Sequence, residues 1–264
     1  METLKRIYWS DTTKPGLYYY DVNDKSVHDF VIDGLVSPLG IAIDSYDEKV
    51  YWTDYGTHTV QRADINGENI ETLVTDLLMP RHIALDLHDS KMYWTDSKDN
   101  LVQVANTDGT DYQILVKDIP GAGIALDIVA GKMYWADCFN AKGNYSANLD
   151  GSDIQLINKN LDLQVGVTLF NNKIFWADSS ANKIQCSNFD GTNLEDVIIN
   201  GNGPRCLAID ADKSHLYWTG LNTDIIYRSN LDGSQITTFS GFIFLLSKFF
   251  SKLKSLLDIS FLIF

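Results

Sequence analysis

All six tryptophans of this chain sit in one recurring four-residue word. The copies are Tyr8-Trp9-Ser10-Asp11, Tyr51-Trp52-Thr53-Asp54, Tyr93-Trp94-Thr95-Asp96, Tyr134-Trp135-Ala136-Asp137, Phe175-Trp176-Ala177-Asp178 and Tyr217-Trp218-Thr219-Gly220. Successive tryptophans are 43, 42, 41, 41 and 42 residues apart. So regular a spacing marks a repeat array, in which one supersecondary unit is copied and stacked. The chain is one unit written six times.

The second copy shows what the unit is. Gly40-Ile41-Ala42-Ile43-Asp44 and Val50-Tyr51-Trp52-Thr53 are short β-prone runs with a polar turn between them. Thr59 to Asp64 alternates as a strand, Asn66-Gly67 reads as a hairpin turn with φ > 0 at both residues, and Asn69 to Val74 supplies a fourth strand. Asp108-Gly109, Asp150-Gly151, Asp190-Gly191 and Asp232-Gly233 take the place of Asn66-Gly67 in later copies. The first-strand pattern returns around Asp86, Asp127 and Asp210 but gives Thr168 in the fifth copy. A small residue always precedes it by two places: Ala42, Ala84, Ala125, Gly166 and Ala208.

A four-stranded meander cannot bury both faces alone, whereas six of them stacked around an axis can. The expectation is an all-β, six-bladed β-propeller of four-stranded antiparallel blades. Small residues on the first strands suit crowding around the axis. The motif aromatics then fill the space between blades, and truncating one buried Trp to Ala costs about 3–5 kcal/mol. Trp9, Trp52, Trp94, Trp135, Trp176 and Trp218, with Asp11, Asp54, Asp96, Asp137 and Asp178, are thus read first as framework.

These words, the Leu/Ile-Ala-x-Asp strands and the Asn-Leu-Asp-Gly turns (148–151 and 230–233) resemble the class B repeats of the low-density lipoprotein receptor. That family includes the receptor's larger relatives, the Wnt co-receptors and nidogen. The resemblance covers residues 1 to about 241. It implies a non-enzymatic, extracellular or cell-surface propeller that binds a protein ligand, beside epidermal-growth-factor-like modules. A matrix-scaffolding propeller like that of nidogen is the alternative.

The ends depart from the pattern. No Ala-x-Asp strand precedes Tyr8, so the first blade needs a strand from the C-terminus, and 241–246 is the expected donor. That gives a propeller over 1–241 and an atypical tail over 242–264. Within the tail Leu245, Leu246, Phe249, Phe250, Leu253, Leu256 and Leu257 fall at helical spacing. Lys248, Lys252, Lys254 and Asp258 interrupt the stretch, which excludes a membrane span. The remaining readings are a basic amphipathic helix on a membrane surface and an abnormal end foreign to the family. Residues 1–6 show no apolar signal-peptide core, so the chain reads as cytosolic or as a fragment lacking its leader.

Composition narrows function. A net charge of −14 argues against nucleic acid, where binding depends on Lys and Arg releasing counterions. Cys138, Cys186 and Cys206 are odd in number and far apart, which signals neither disulfides nor zinc. Six-bladed propellers also host calcium-dependent hydrolases. Calcium needs about six to eight oxygens at one locus, yet Asp44, Asp86, Asp127 and Asp210 are equivalent copies better suited to turns. No cofactor or metal is expected. The five histidines read as surface-loop residues.

Binding residues belong instead to the loops on one face. The segments after each motif supply Tyr55, His58, Lys98, Asn100, Phe139, Asn140, Asn182 and Asn222. The segments entering the first strands add Arg81, His82 and Arg205 beside Pro80 and Pro204. Asn144-Tyr145-Ser146 is a glycosylation sequon on a strand.

Overall fold

The computed structural model describes residues 6–137, 139, 143–161, 164–221, 223, 225–238 and 261–263. These form six four-stranded antiparallel sheets, the blades of a six-bladed propeller. Blade 2 sets the pattern: strands Pro38–Asp44, Lys49–Asp54, Thr59–Asp64 and Glu71–Val74 pair in chain order. Each first strand packs against that of the next blade, making an inner ring around the axis. Ala42, Ala84, Ala125, Gly166 and Ala208 line an axial cavity of about 290 Å³. At Gly166 a Cβ would lie 2.4 Å from the Arg205 carbonyl oxygen of blade 6, so only glycine allows this approach.

The second strand carries the motif and is buried on both faces, because it has a neighbouring blade on each side. Consecutive strand residues point to opposite faces, so the Tyr and the Trp of one motif enter different interfaces. Tyr8 shares a core cluster with Trp52, Tyr51 with Trp94 and Tyr93 with Trp135. Tyr134 joins Trp176, Phe175 joins Trp218, and Tyr217 joins Trp9 to close the ring. The third motif residue adds polar stitches between blades. Ser10 Oγ donates to the Leu39 carbonyl at 2.6 Å, Thr95 Oγ1 to that of Ala122 at 2.8 Å, and Thr53 Oγ1 to that of Arg81. Blade 5 has Ala177 there, and Ser179 Oγ reaches the Pro204 carbonyl at 2.5 Å instead.

Two expectations are corrected. The strand completing blade 1 is Phe261–Ile263, which pairs with Ile7, Tyr8 and Trp9 and packs between the first strands of blades 6 and 2. Residues 241–246 and the helical pattern of 245–257 lie outside the described residues. Both C-terminal runs are apolar and β-prone, and propensity alone does not rank them; the pairing does. The outer hairpin is also longer than a two-residue turn. Between strands ending at Asp64 and beginning at Glu71, positive φ falls on Gly67 (86°) and Asn69 (52°), not on Asn66. A Cβ on Gly67 would stand 2.6 Å from the Phe30 carbonyl oxygen of blade 1, so this turn docks on the preceding blade.

The same hairpins hold a set of acid-sensitive groups. Asp108, Asp150, Asp190 and Asp232 each accept from the hydroxyl and the amide of the Ser or Thr two residues on. Those bonds, the hydroxyl first, hold all four carboxyls below the usual Asp range. A carboxyl with a depressed folded-state value stabilises above its unfolded value, about 3.9, and that contribution is lost as pH falls through the folded one. Thermal midpoints are therefore expected to hold level from pH 7 to 5 and to fall below about pH 4. Replacing all four by Asn should flatten that acid limb. A limb unchanged in the quadruple variant would contradict the assignment.

Candidate functional site

The motif Asp builds the face on which the candidate residues lie. It ends the second strand, and its carboxylate ties together two loops that have no regular structure of their own. Asp54 Oδ1 accepts from the amides of Gly56 at 2.8 Å and Thr57 at 3.0 Å, which folds the turn after the motif. It also accepts from Ser37 N at 2.9 Å, while Oδ2 accepts from Val36 N at 2.9 Å, which fixes the loop entering blade 2. Asp96 repeats the clamp with Leu78, Met79, Lys98 and Asp99 at 2.9–3.3 Å. Asp11 accepts from Thr13 and Lys14, Asp137 from Phe139, and Asp178 from Ala181. The sixth copy has Gly220, whose carbonyl accepts from Thr223 N at 3.2 Å.

Asp54 and Asp96 hold a contiguous apolar patch. Val36, Tyr55 and Leu78 are exposed by 52, 37 and 38%. A Cβ on Gly56 would touch Val36, the Tyr55 and His58 rings lie edge to face with centroids 6.2 Å apart, and His58 Nδ1 is 3.2 Å from the Leu78 carbonyl. The structure thus brings Tyr55 and His58 together and adds Val36 and Leu78. Phe139 is exposed on the same set of loops, at blade 4.

Other candidates have structural duties. Arg81 is 7% exposed; its Nε donates to Ser97 Oγ at 2.8 Å and its guanidinium lies 5.4 Å from the Phe139 ring centre. Pro80 opens the first strand, so Arg81 is a buried strand residue that supports the face from below and is not a surface cation. Arg205 is half-buried at the equivalent place in blade 6. His82 lines the axial cavity, and burial, followed by the nearby Arg81 and Arg205 charges, lowers its pKa to about 4. It is therefore not a surface-loop histidine. His28 and His215 lie in strands, whereas His58 and His88 are in exposed turns. Asn100 and Asn182 occupy the left-handed position that closes the post-motif turn (φ 58° in both), as His58 does in blade 2 (62°). Asn182 also accepts from Gly203 N at 2.7 Å. Lys98 is exposed, and Asn140 and Asn222 lie outside the described residues.

The sequon is corrected as well. Asn144 is 0% exposed in the interface between blades 4 and 5, where the other blades bury Leu17, Val60, Val102, Ile184 and Ile226. Among the described residues neither amide atom has a hydrogen-bond partner. A side chain buried there has no room for a saccharide. The first-strand aspartates turn out to hold turns: Asp44 accepts from Tyr46 and Asp47, Asp86 from His88 and Asp89, Asp127 from Ala130 and Asp210 from Lys213. Among the described residues no three His, Cys, Asp or Glu side chains converge as metal ligands. Nor is any helix there long and apolar enough to cross a membrane.

The clamp predicts a large effect from a small change. Asp54→Ala leaves four loop amides without their carboxylate and should cost about 3 kcal/mol in urea unfolding. Lys98→Ala, at an exposed position of the same face, should stay within about 0.5 kcal/mol.

Comparison with known proteins agrees with this geometry. The low-density lipoprotein receptor repeat class B model matches residues 48–87, 90–128 and 172–211. Mouse low-density lipoprotein receptor-related protein 5 is 35% identical over 69 residues, which is 25% of this chain and 4% of that protein. Human low-density lipoprotein receptor-related protein 8 is 38% identical over 72 residues, 26% of this chain and 8% of that protein. Mouse nidogen-2 is 32% identical over 70 residues, 26% of this chain and 5% of that protein. A structure titled as a nidogen/laminin complex superposes with a TM-score of 0.83 at 23% identity, covering 97% of this chain and 98% of that one. Virginiamycin B lyase from Staphylococcus aureus gives 0.68 at 14% identity, covering 88 and 80%. These last two likenesses concern the fold alone. The chain is a six-bladed β-propeller in which three stretches match the low-density lipoprotein receptor class B (YWTD) repeat.

Proposed function

We propose that this propeller is a non-enzymatic binding module of a low-density lipoprotein receptor-related protein, and that it presents its motif-end face to a protein ligand. The carrying observation is the exposed Val36–Tyr55–His58–Leu78 patch, fixed from beneath by the Asp54 and Asp96 clamps. An aromatic and aliphatic cluster on a preorganised backbone loses little entropy on binding, and clusters of this kind carry most interface energy. The repeated carboxylates, Asp44 and Asp54 in blade 2, accept from turn and loop amides, which supports a structural role for them. The compartment that fits is extracellular or cell-surface, with epidermal-growth-factor-like modules beside the propeller in a longer product. A second reading, scaffolding between matrix proteins, is favoured by the identity with nidogen-2.

Surface plasmon resonance against a panel of secreted and cell-surface proteins that includes laminin tests the site. Tyr55→Ser with Leu78→Asp should weaken the parent's binding by tenfold or more, about 1.4 kcal/mol. Tyr46→Ser, at an exposed turn between the first two strands of blade 2, should leave it unchanged. Equal binding by the double variant and the parent would overturn the assignment. A ligand set consisting of matrix proteins alone would favour the scaffolding reading.

A further inference from the structure

The axial cavity brings a nitrogen and a sulfur donor together inside an aliphatic wall. It encloses about 290 Å³ and is walled mainly by first-strand residues of blades 2 to 6. Among the described lining residues, only His82 of blade 3, Thr168 of blade 5 and Cys206 of blade 6 carry a nitrogen, oxygen or sulfur in the side chain. His82 and Cys206 stand 124 residues apart in sequence, yet Nε2 and Sγ face each other across the axis at 4.0 Å. Metal bonds of about 2.0 Å to nitrogen and 2.3 Å to sulfur place two such donors about 3.5 Å apart at a tetrahedral angle and about 4.3 Å apart in a line. The observed spacing is wider than the tetrahedral one and suits an ion held at an open angle by two ligands.

Charge decides which ion. The Arg81 and Arg205 guanidiniums act on His82 from nearby, so added positive charge is repelled. A monovalent ion that displaces the thiol proton leaves the net charge of the cavity as it was. A divalent ion adds one uncompensated charge within an apolar wall, where unpaired charge is costly. Zinc also takes four ligands, and beyond these two the described wall offers one hydroxyl. Soft thiolate and imidazole donors suit cuprous copper, which binds stably to two ligands. Cys206 needs no thiolate character beforehand, because coordination itself removes the thiol proton. Cys186 lies instead beside the Lys173 ammonium at 3.9 Å, which repels a cation. Neither cysteine is in a disulfide.

We propose that His82 Nε2 and Cys206 Sγ form a two-ligand site for cuprous copper on the propeller axis. On binding, the Cys206 S–H bond breaks, its electron pair forms the sulfur–copper bond, and the proton leaves to solvent. His82 Nε2 donates its lone pair to the same ion. Copper stays in the cuprous state throughout, so no oxidant or reductant is consumed. The site is independent of the motif-end face.

The probe is the cuprous ion itself, kept reduced by ascorbate under nitrogen and offered as its complex with a colorimetric chelator. The acceptor is the full chain carrying Cys138→Ser and Cys186→Ser, so that one thiol remains. One equivalent of copper per chain should pass from the chelator to this protein. Adding Cys206→Ser or His82→Leu should weaken retention by roughly a hundredfold or more, since even the outer partners of metal ligands are worth about 10–100-fold. His88→Leu, at an exposed turn, should leave it unchanged. X-ray absorption of the copper-loaded protein should show one sulfur and one nitrogen donor. Copper held equally well after Cys206→Ser overturns the proposal, as does failure of the one-thiol protein to take copper, or stoichiometric retention of zinc by it. If His82→Leu fails to fold, the absorption spectrum decides the question, and a donor set without nitrogen, or with three or more ligands, sinks the site.

Discussion

The structure depends on one steric fact: adjacent residues on a strand face opposite ways. A Tyr-Trp pair on the second strand of each blade therefore acts as a two-sided joint, with Tyr in the interface ahead and Trp in the interface behind. Repeated six times, the joint closes on itself when Tyr217 of blade 6 meets the cluster holding Trp9. Each interface then contains one large ring from each blade, and no blade has an unburied face. Aromatic burial of this size is the dominant stabilising term for the ring. It also explains why five of the six tryptophans have essentially no exposed surface.

What the joint holds rigid, the motif Asp converts into a face. Its position at the end of a fully buried strand places a carboxylate where two loops emerge. Backbone amides are the only donors those loops offer in common, so one side chain fixes both. The apolar patch owes its shape to this arrangement, because Val36 and Leu78 each donate their own amide to a clamp while their side chains remain in solvent. Blade 6, with Gly220, lacks the carboxylate and relies on main-chain bonds, a local difference the sequence shows directly.

The blades and their order were legible because periodicity reports packing: whatever must be buried in every interface recurs at every repeat. The small first-strand residues were legible for the same reason in blades 2, 3, 4 and 6. In blade 5 the shorter Asn171-Asn172 turn shifts the register, so Thr168, opposite Phe175, takes the place of Ala42 and Gly166 that of Gly40. Features that depend on the end of the period were not. Residues 241–246 and 261–263 are both apolar β-prone runs, and their choice rests on pairing with Arg6–Asp11. Arg81 read as a surface cation because it follows Pro80 in a loop-like stretch, yet that proline begins the strand and the buried Arg81 side chain lies against Phe139. Asn144 matched a sequon, and its burial shows only when it is aligned with Val60 of blade 2 and Val102 of blade 3. Val36 and Leu78 were missed although both stand two residues before a strand-opening proline, Pro38 and Pro80. That signal spans only two blades and is weaker than the six-fold word.

A double-mutant cycle at the closing interface tests the joint most directly, using Tyr217→Leu, Trp9→Leu and the pair, with chemical denaturation of each. If the two rings stabilise one another across blades 6 and 1, the coupling energy should be about 0.5–1.5 kcal/mol, as for aromatic partners in contact. Strict additivity, with both single variants still cooperative and fully folded, would mean that the ring is not closed by its aromatics.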